Sequence, residues 1–287
     1  MDPRRRLPAS LIEGARAYVD GTKEPVATRD ASTVVLMRDS AAGPEVYLLR
    51  RHLGMEFAGG FCVFPGGGVD PRDFDKEVGW AGPSAEEWGA LLECSAETAR
   101  ALVCAAVRET FEESGVLLAG PSIDTVVADT TGDDWEADRE ALEKRDLSFT
   151  DFLSRRGLVI RTDLLRFWGR WITPVFEPKR FDTRFFVAVL PDGQVTRDVS
   201  TESDHVVWMS AADAVTAVDE ERIMMLPPTY CTCMEVSEQT TTDAVLASAD
   251  GRDLTPIEPT MVFDEDGSGY LELPAWLVAL GERIAAR

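Results

Sequence analysis

Glu109, Glu112 and Glu113, in the run AAVRETFEESGV (105–116), are the residues whose types and spacing point most directly to chemistry. At i, i+3 and i+4 they share one side of a helix, and Gly115 is placed to end it, so all three fall in its last two turns. Like charges so spaced destabilise a helix by roughly 0.2–0.5 kcal/mol per pair. Acids near a C-terminus also face the negative end of the helix dipole, at roughly 0.3–1 kcal/mol each. Arg108 stands four residues before Glu112 and offsets one charge; the others need a second cation. A hard divalent ion, Mg2+ or Mn2+, takes carboxylate oxygens together with water and substrate phosphate. Gly66, Gly67 and Gly68 lie upstream, and without a Cβ their backbone can approach such an ion closely. A carbonyl of this turn, assigned to Gly67, completes the expected metal shell.

The elements that would present these residues are readable from periodicity. STVVLMR (32–38) and EVYLLRR (45–51) form a hairpin around the turn-rich DSAAGP, and FAGGFCVFPGGGVD (57–70) is a short strand running into the glycines. SAEEWGALLE (84–93) opens with a Ser84/Glu87 capping box. The acidic helix spans about 97–114 with Leu102, Val103, Ala106, Val107 and Thr110 turned inward. A polar helical pair covers 135–156, and strands resume at RWITPVF (170–176), RFDTRFFVAVL (180–190) and HVVWM (205–209). Ser210 caps a following helix, a helical stretch runs from Pro227 to about 249, and a loop-rich end precedes a last short helix. This mixed order fits a sheet covered by helices rather than a regular βαβ alternation.

Composition narrows the function classes. A chain of 287 residues can bury a sizeable core. The five cysteines show no repeated pairing and are expected as free thiols, and two histidines exclude a multi-histidine metal site. A net charge of −22 argues against an extended nucleic acid as partner. No apolar run is long enough to span a membrane, and the opening MDPRRRLPAS lacks the apolar stretch of a signal peptide, so no membrane partner and a cytoplasmic location are expected. A small phosphate ligand stays compatible with the acidic balance, because a few local arginines and a bound cation outweigh a distant field screened within about 10 Å.

REtfEEsGV (108–116) resembles the second half of the Nudix box, G-x5-E-x7-R-E-U-x-E-E-x-G-U, and FPGG (64–67) resembles its usual approach. The match covers Arg108, Glu109, Glu112, Glu113, Gly115 and Val116. Counted from Gly67, an uninterrupted box puts its arginine at 81, and Arg108 lies 27 residues later, so an insertion splits the box. Arg100 stands where counting back from Arg108 puts the first glutamate, and that role is left unassigned. A split box followed by Trp171, Thr173 and Pro174 and by RFDTRFF is similar to the Nudix branch that contains the peroxisomal CoA diphosphatases. The resemblance implies an α/β fold, a Nudix-type α/β/α sandwich with mixed sheet, helical insertions and a C-terminal extension. The domain would cover 30–225, with insertions at about 71–97 and 120–165, and 226–287 would pack on it.

The same resemblance implies Glu112 and Glu113 as main metal ligands, Glu109 as a ligand or the general base, and Arg108 as the residue orienting them. The substrate would be a small nucleoside-diphosphate derivative, CoA or acyl-CoA foremost, with ADP-ribose, NADH or a dinucleoside polyphosphate as alternatives. A non-catalytic Nudix-fold binding module is the rival class, and retention of three mutually repelling acids argues against it. Arg50 and Arg51 end a strand near the glycine turn and are candidates for phosphate. Arg180 and Arg184 alternate with Asp182 on one strand face, either as a phosphate clamp or as a surface ion-pair ladder. Glu202 is the candidate for a further acid from a later loop, and a homodimer is kept open as assembly.

Overall fold

The structure is a computed structural model and describes residues 9–54, 58–75 and 78–286. Phe57 of the expected run into the glycines, and Lys76 and Glu77 of the first expected insertion, lie outside the described residues.

Helix α1 (Ala9–Val19) precedes the hairpin β1 (Arg29–Ser40) and β2 (Gly43–Arg51). Short strands β3 (Cys62–Val63) and β4 (Gly66–Gly68) lead to a 3-10 turn (Pro71–Phe74), strand β5 (Trp80–Ala81) and helix α2 (Ala85–Leu92). The Ser84/Glu87 capping box that starts α2 closes as expected. The acidic helix is α3 (Ala96–Ser114), capped by Ser95 at its start. Strand β6 (Ala119–Gly120), helices α4 (Asp133–Glu143) and α5 (Phe149–Arg156) and strand β7 (Val159–Arg161) follow. Then come β8 (Arg166–Ile172), β9 (Phe181–Val189), β10 (Ser203–Ser210) and helices α6 (Ala211–Asp219), α7 (Pro227–Ser237) and α8 (Thr242–Ser248). A hairpin of β11 (Thr260–Phe263) and β12 (Gly269–Glu272) precedes α9 (Ala275–Ala285).

Among the described residues the main sheet has seven strands, five on the path β10-β2-β1-β9-β8 and β3 and β4 beside it. β1 and β9 run parallel, and the other pairings are antiparallel. β1 and β2 pair only near their turn, from Met37–Val46 to Ser40–Gly43. Where they part, β4 pairs with the first half of β1 and β3 with the end of β2. This divergence seats the glycines inside the sheet, beside α3.

Alternate residues of β1 feed two cores. Val34 and Leu36 pack with Trp88 and Leu92 of α2 and with Leu102, Val103, Ala106, Val107 and Phe111 of α3. Val35 and Met37 face the opposite layer, with Ala214 and Val215 of α6, Cys231, Cys233 and Met234 of α7, and Leu277 of α9. The result is the expected α/β/α sandwich, and burial of each such side chain contributes about 1.5–3 kcal/mol. All five cysteines are free. Among the described residues, no helix is long and apolar enough to cross a membrane.

Some boundaries differ from expectation for local reasons. The strand read at 170–176 is shifted to Arg166–Ile172: Thr173 still donates to the Phe181 carbonyl at 2.9 Å, but Pro174 has no N–H with which to extend the ladder. The stretch 227–249 is two helices. Asp39 accepts hydrogen bonds from the Thr242 N–H at 2.7 Å and its hydroxyl at 2.9 Å, and Thr241 caps a fresh N-terminus there. The expected loop-rich end holds the β11–β12 hairpin.

Candidate active site

Two contacts press the glycine strand against the acidic helix. The Ser32 hydroxyl donates to the Leu102 carbonyl at 2.7 Å, tying β1 to α3, and β4 pairs with β1 at Ala31, Ser32 and Thr33. The glycines therefore lie over the last turns of α3. The Gly66 N–H donates to Glu113 Oε2 at 2.8 Å. A Cβ built on Gly67 would stand 2.5 Å from the Glu109 carboxylate carbon, so a side chain there would push that carboxylate out of its place.

Arg108 is the hub of the cluster. Its Nη1 donates to Glu109 Oε1 at 2.7 Å and to Glu112 Oε1 at 3.3 Å, and its Nη2 reaches the Gly68 carbonyl at 3.2 Å. Its Nε and Nη2 form a fork on Asp73 at 3.0 and 2.9 Å. Asp73 is buried and also closes a capping box with Asp70 at the start of the 3-10 turn. Asp73 was missed by the sequence reading, and it answers the open question of the first box acid. Counting forward from Gly67, rather than back from Arg108, the G-x5 spacing lands on residue 73, where an aspartate replaces the glutamate. The box is therefore split after its first acid.

Three carboxylates (Asp73, Glu109 and Glu112) surround this one guanidinium, and Glu113 lies beyond them, bonded to the glycine strand. Burial pushes the Glu112 carboxyl up to about 7, and repulsion from Glu109 adds to the effect. Burial also raises Glu113 well above the usual carboxylate range, with Glu109 and Glu202 contributing. Glu109 is raised as well, by burial against the opposing pull of Arg108. Burial works against the Arg108 charge, but Glu109, Asp73 and Glu112 outweigh it and hold the guanidinium protonated. Hard oxygen donors in negative excess, beside a backbone turn without Cβ atoms, match the donor set of Mg2+ or Mn2+. Among the described residues no three side chains already converge at metal-ligand spacing. Arg108 occupies Glu109 Oε1 and both Glu112 oxygens.

The end of α3 is built to tolerate this charge. Gly115 adopts φ 74° and its N–H returns to the Phe111 carbonyl at 2.9 Å. The Arg197 N–H takes the Ser114 carbonyl at 2.9 Å, and the Thr130 hydroxyl takes that of Gly115 at 2.6 Å. An alanine at 115 would face both the left-handed backbone and the Arg197 guanidinium, 2.8 Å from its Cβ.

The other expected residues divide into two groups. Arg51 pairs with Glu202 at 3.0 Å, and their charges reach Glu113 with opposite effects, so both stand beside the acids. Arg50 pairs instead with Asp204 at 2.6 Å. Arg180 and Arg184 are engaged away from the acids. Arg180 donates to the carbonyls of Thr173 and Val26 and pairs with Glu258. Arg184 is 3% exposed and pairs with Asp30 at 3.0 Å and Asp182 at 2.9 Å, while Arg170 grips Asp182 at 2.8 and 2.7 Å. Asp182 and Arg184 of β9 thus join Arg170 and Asp30 in one ion-pair group, and Arg180 pairs separately with Glu258.

A mixed sheet between two helical layers, with a glycine strand laid over an acidic helix end, defines a Nudix-type α/β/α fold. The chain belongs to the Nudix hydrolase family: the NUDT19 Nudix domain matches residues 92–236, half of its length. It is similar to acyl-coenzyme A diphosphatase NUDT19 of Xenopus laevis, 26% identical over 223 residues that cover 65% of this chain and 58% of that protein. The same-named protein of Gallus gallus is 25% identical over 277 residues, covering 80% of this chain and 68% of that one. The chain thus spans little more than half the length of the first of these relatives. Among solved structures, a NUDIX hydrolase from Alicyclobacillus acidocaldarius is 30% identical with a TM-score of 0.67, covering 77% of this chain and 96% of that one.

Proposed function

We propose that this chain is a divalent-metal-dependent diphosphatase acting on a nucleoside-diphosphate derivative, with CoA or acyl-CoA as the leading substrate. The observation that carries the reading is the excess of buried carboxylate around Arg108, set against the Gly66–Gly68 strand. The names of two relatives favour the acyl-CoA class. Residues 30–225 form the hydrolase domain in this reading, with 226–287 packed on it, since α7 and α9 complete its second core.

Glu112 and Glu113 would hold Mg2+ or Mn2+, with Glu109 and the Gly67 carbonyl completing the protein's share. The bound ion would neutralise the diphosphate and lower the pKa of a water. Glu109 is either a ligand of that ion or the base that takes the proton from the attacking water. Water oxygen bonds to one phosphorus, the bridging P–O bond breaks, and two phosphomonoesters leave. Arg108 fixes the Glu109 and Glu112 carboxylates by ion pairing, and Asp73 fixes Arg108. Arg51 stands beside the acids to meet a phosphate oxygen, and Glu202 is the additional acid.

The test is a hydrolysis panel of acyl-CoA, CoA, ADP-ribose, NADH and a dinucleoside polyphosphate with Mg2+ or Mn2+. Metal-dependent cleavage at the diphosphate, fastest for acyl-CoA, is the expected result. Faster cleavage of another member would reassign the substrate, and binding without turnover across the panel would establish the binding-module reading instead.

A further inference from the structure

Helix α4, part of the insertion that follows α3, delivers one buried arginine to the end of the acidic helix. Arg139 is 3% exposed, and its Nη1 donates to the backbone carbonyl of Glu112 at 2.7 Å. That carbonyl is one of the helix-end acceptors without an intrahelical donor. The Val116 N–H, four residues on, is diverted to the Ser114 hydroxyl at 3.2 Å. A cation here also complements the negative end of the α3 dipole.

The same guanidinium reaches a second part of the site. Arg139 Nη1 bonds Glu143 Oε2 at 3.1 Å, while Glu143 Oε1 accepts from the Thr201 N–H at 3.0 Å and from its hydroxyl at 2.6 Å. Thr201 immediately precedes Glu202. Glu136 holds the other edge of Arg139 at 2.9 and 2.7 Å and binds Arg197 at 2.5 Å, whose backbone N–H caps Ser114. A chain of hydrogen bonds therefore runs from the backbone of Glu112, through Arg139 and Glu143, to the loop carrying Glu202.

We infer that Arg139 and Glu143 are positioning residues: they set the separation between the α3 acids and Glu202, so the inserted helix α4 tunes the geometry of the divalent-cation site. The inference rests on the site reading proposed above. Neither residue touches the reacting atoms; each acts through the backbone or loop it holds.

The test measures Mn2+ affinity by electron paramagnetic resonance, without substrate, and kcat and KM with acyl-CoA. Glu143→Gln keeps the shape and removes the charge, Thr201→Val removes the hydroxyl contact, and Arg139→Met removes the guanidinium. Glu143→Gln and Arg139→Met should weaken Mn2+ binding by about 10- to 100-fold, the range seen when partners of metal ligands are removed. The loss should appear in kcat more than in KM. Thr201→Val should show a smaller loss in the same direction, and Arg139→Lys a partial recovery relative to Arg139→Met. Arg155→Ala is the control, since it breaks only the outer Arg155–Asp138 contact between α5 and α4. Wild-type Mn2+ affinity in Glu143→Gln, or an equal loss in Arg155→Ala, would overturn the inference. Absence of Mn2+ binding by the wild type would overturn the site reading itself.

Discussion

Glu112 and Asp73 make opposite predictions from adjacent positions in one network. Glu112 is a buried carboxyl whose ionisation is disfavoured, raised to about 7. Glu112→Gln should therefore stabilise the metal-free protein at about pH 8 by roughly 1–3 kcal/mol, while lowering kcat at least about 100-fold. Urea unfolding and turnover assays check the two halves; unchanged turnover would remove Glu112 from the site. Asp73→Ala removes the fork that satisfies Arg108 and leaves that guanidinium buried with less compensation, a loss of about 3–5 kcal/mol. Denaturation midpoints would show it as the more damaging substitution. Asp73 is also where legibility failed at this scale. Counting back from Arg108 puts the first box acid at Arg100, but the insertion lies ahead of the arginine, so Asp73 meets Arg108 only as a tertiary contact. Counting forward from Gly67 would have found it.

At the scale of elements, the acidic helix and its cap were readable because periodicity and a glycine stop are local signals. The inward positions Leu102, Val103, Ala106, Val107 and Thr110 are all fully buried. The strand alternation at Arg180, Asp182 and Arg184 was equally local, but its partners were not. Asp30 arrives from β1 and Arg170 from β8, and they engage Arg184 and Asp182 in ion pairs that the sequence of β9 alone does not show. Arg139 and Arg197 gave no sequence signal, since each acts only after its loop or helix folds back on the end of α3. The glycine strand offers a sharp test. A Cβ on Gly67 collides with the Glu109 carboxylate, whereas one on Gly68 meets nothing within 4 Å. Gly67→Ala should abolish metal-dependent activity and Gly68→Ala should retain it, as side-by-side assays would reveal; equal effects would mean that close approach at Gly67 is not what the site needs.

For the whole molecule, the raised carboxyls become a stability profile. The Glu112 carboxyl is raised to about 7 in the folded state from an ordinary 4.5. The native protein thus binds more protons than the unfolded chain across that window, and the metal-free protein loses stability as pH climbs through it. Glu109 and Glu113 shift in the same direction and deepen the loss. A divalent cation that binds only the folded, ionised cluster should reverse it, by RT ln(1 + [L]/Kd). Thermal unfolding midpoints should therefore fall from about pH 5 to about pH 8 in chelator and flatten with Mg2+. Midpoints indifferent to the metal at the upper pH would contradict this.

The central claim is that the acids closing α3 gather a divalent ion and present it to a diphosphate. Anomalous scattering from crystals soaked with Mn2+ and a non-hydrolysable acyl-CoA analogue tests it most directly. A manganese peak within about 2.0–2.3 Å of Glu112 and Glu113 oxygens, bridging to the diphosphate, is the result predicted. A well-ordered diphosphate bound with no manganese at these carboxylates would contradict it.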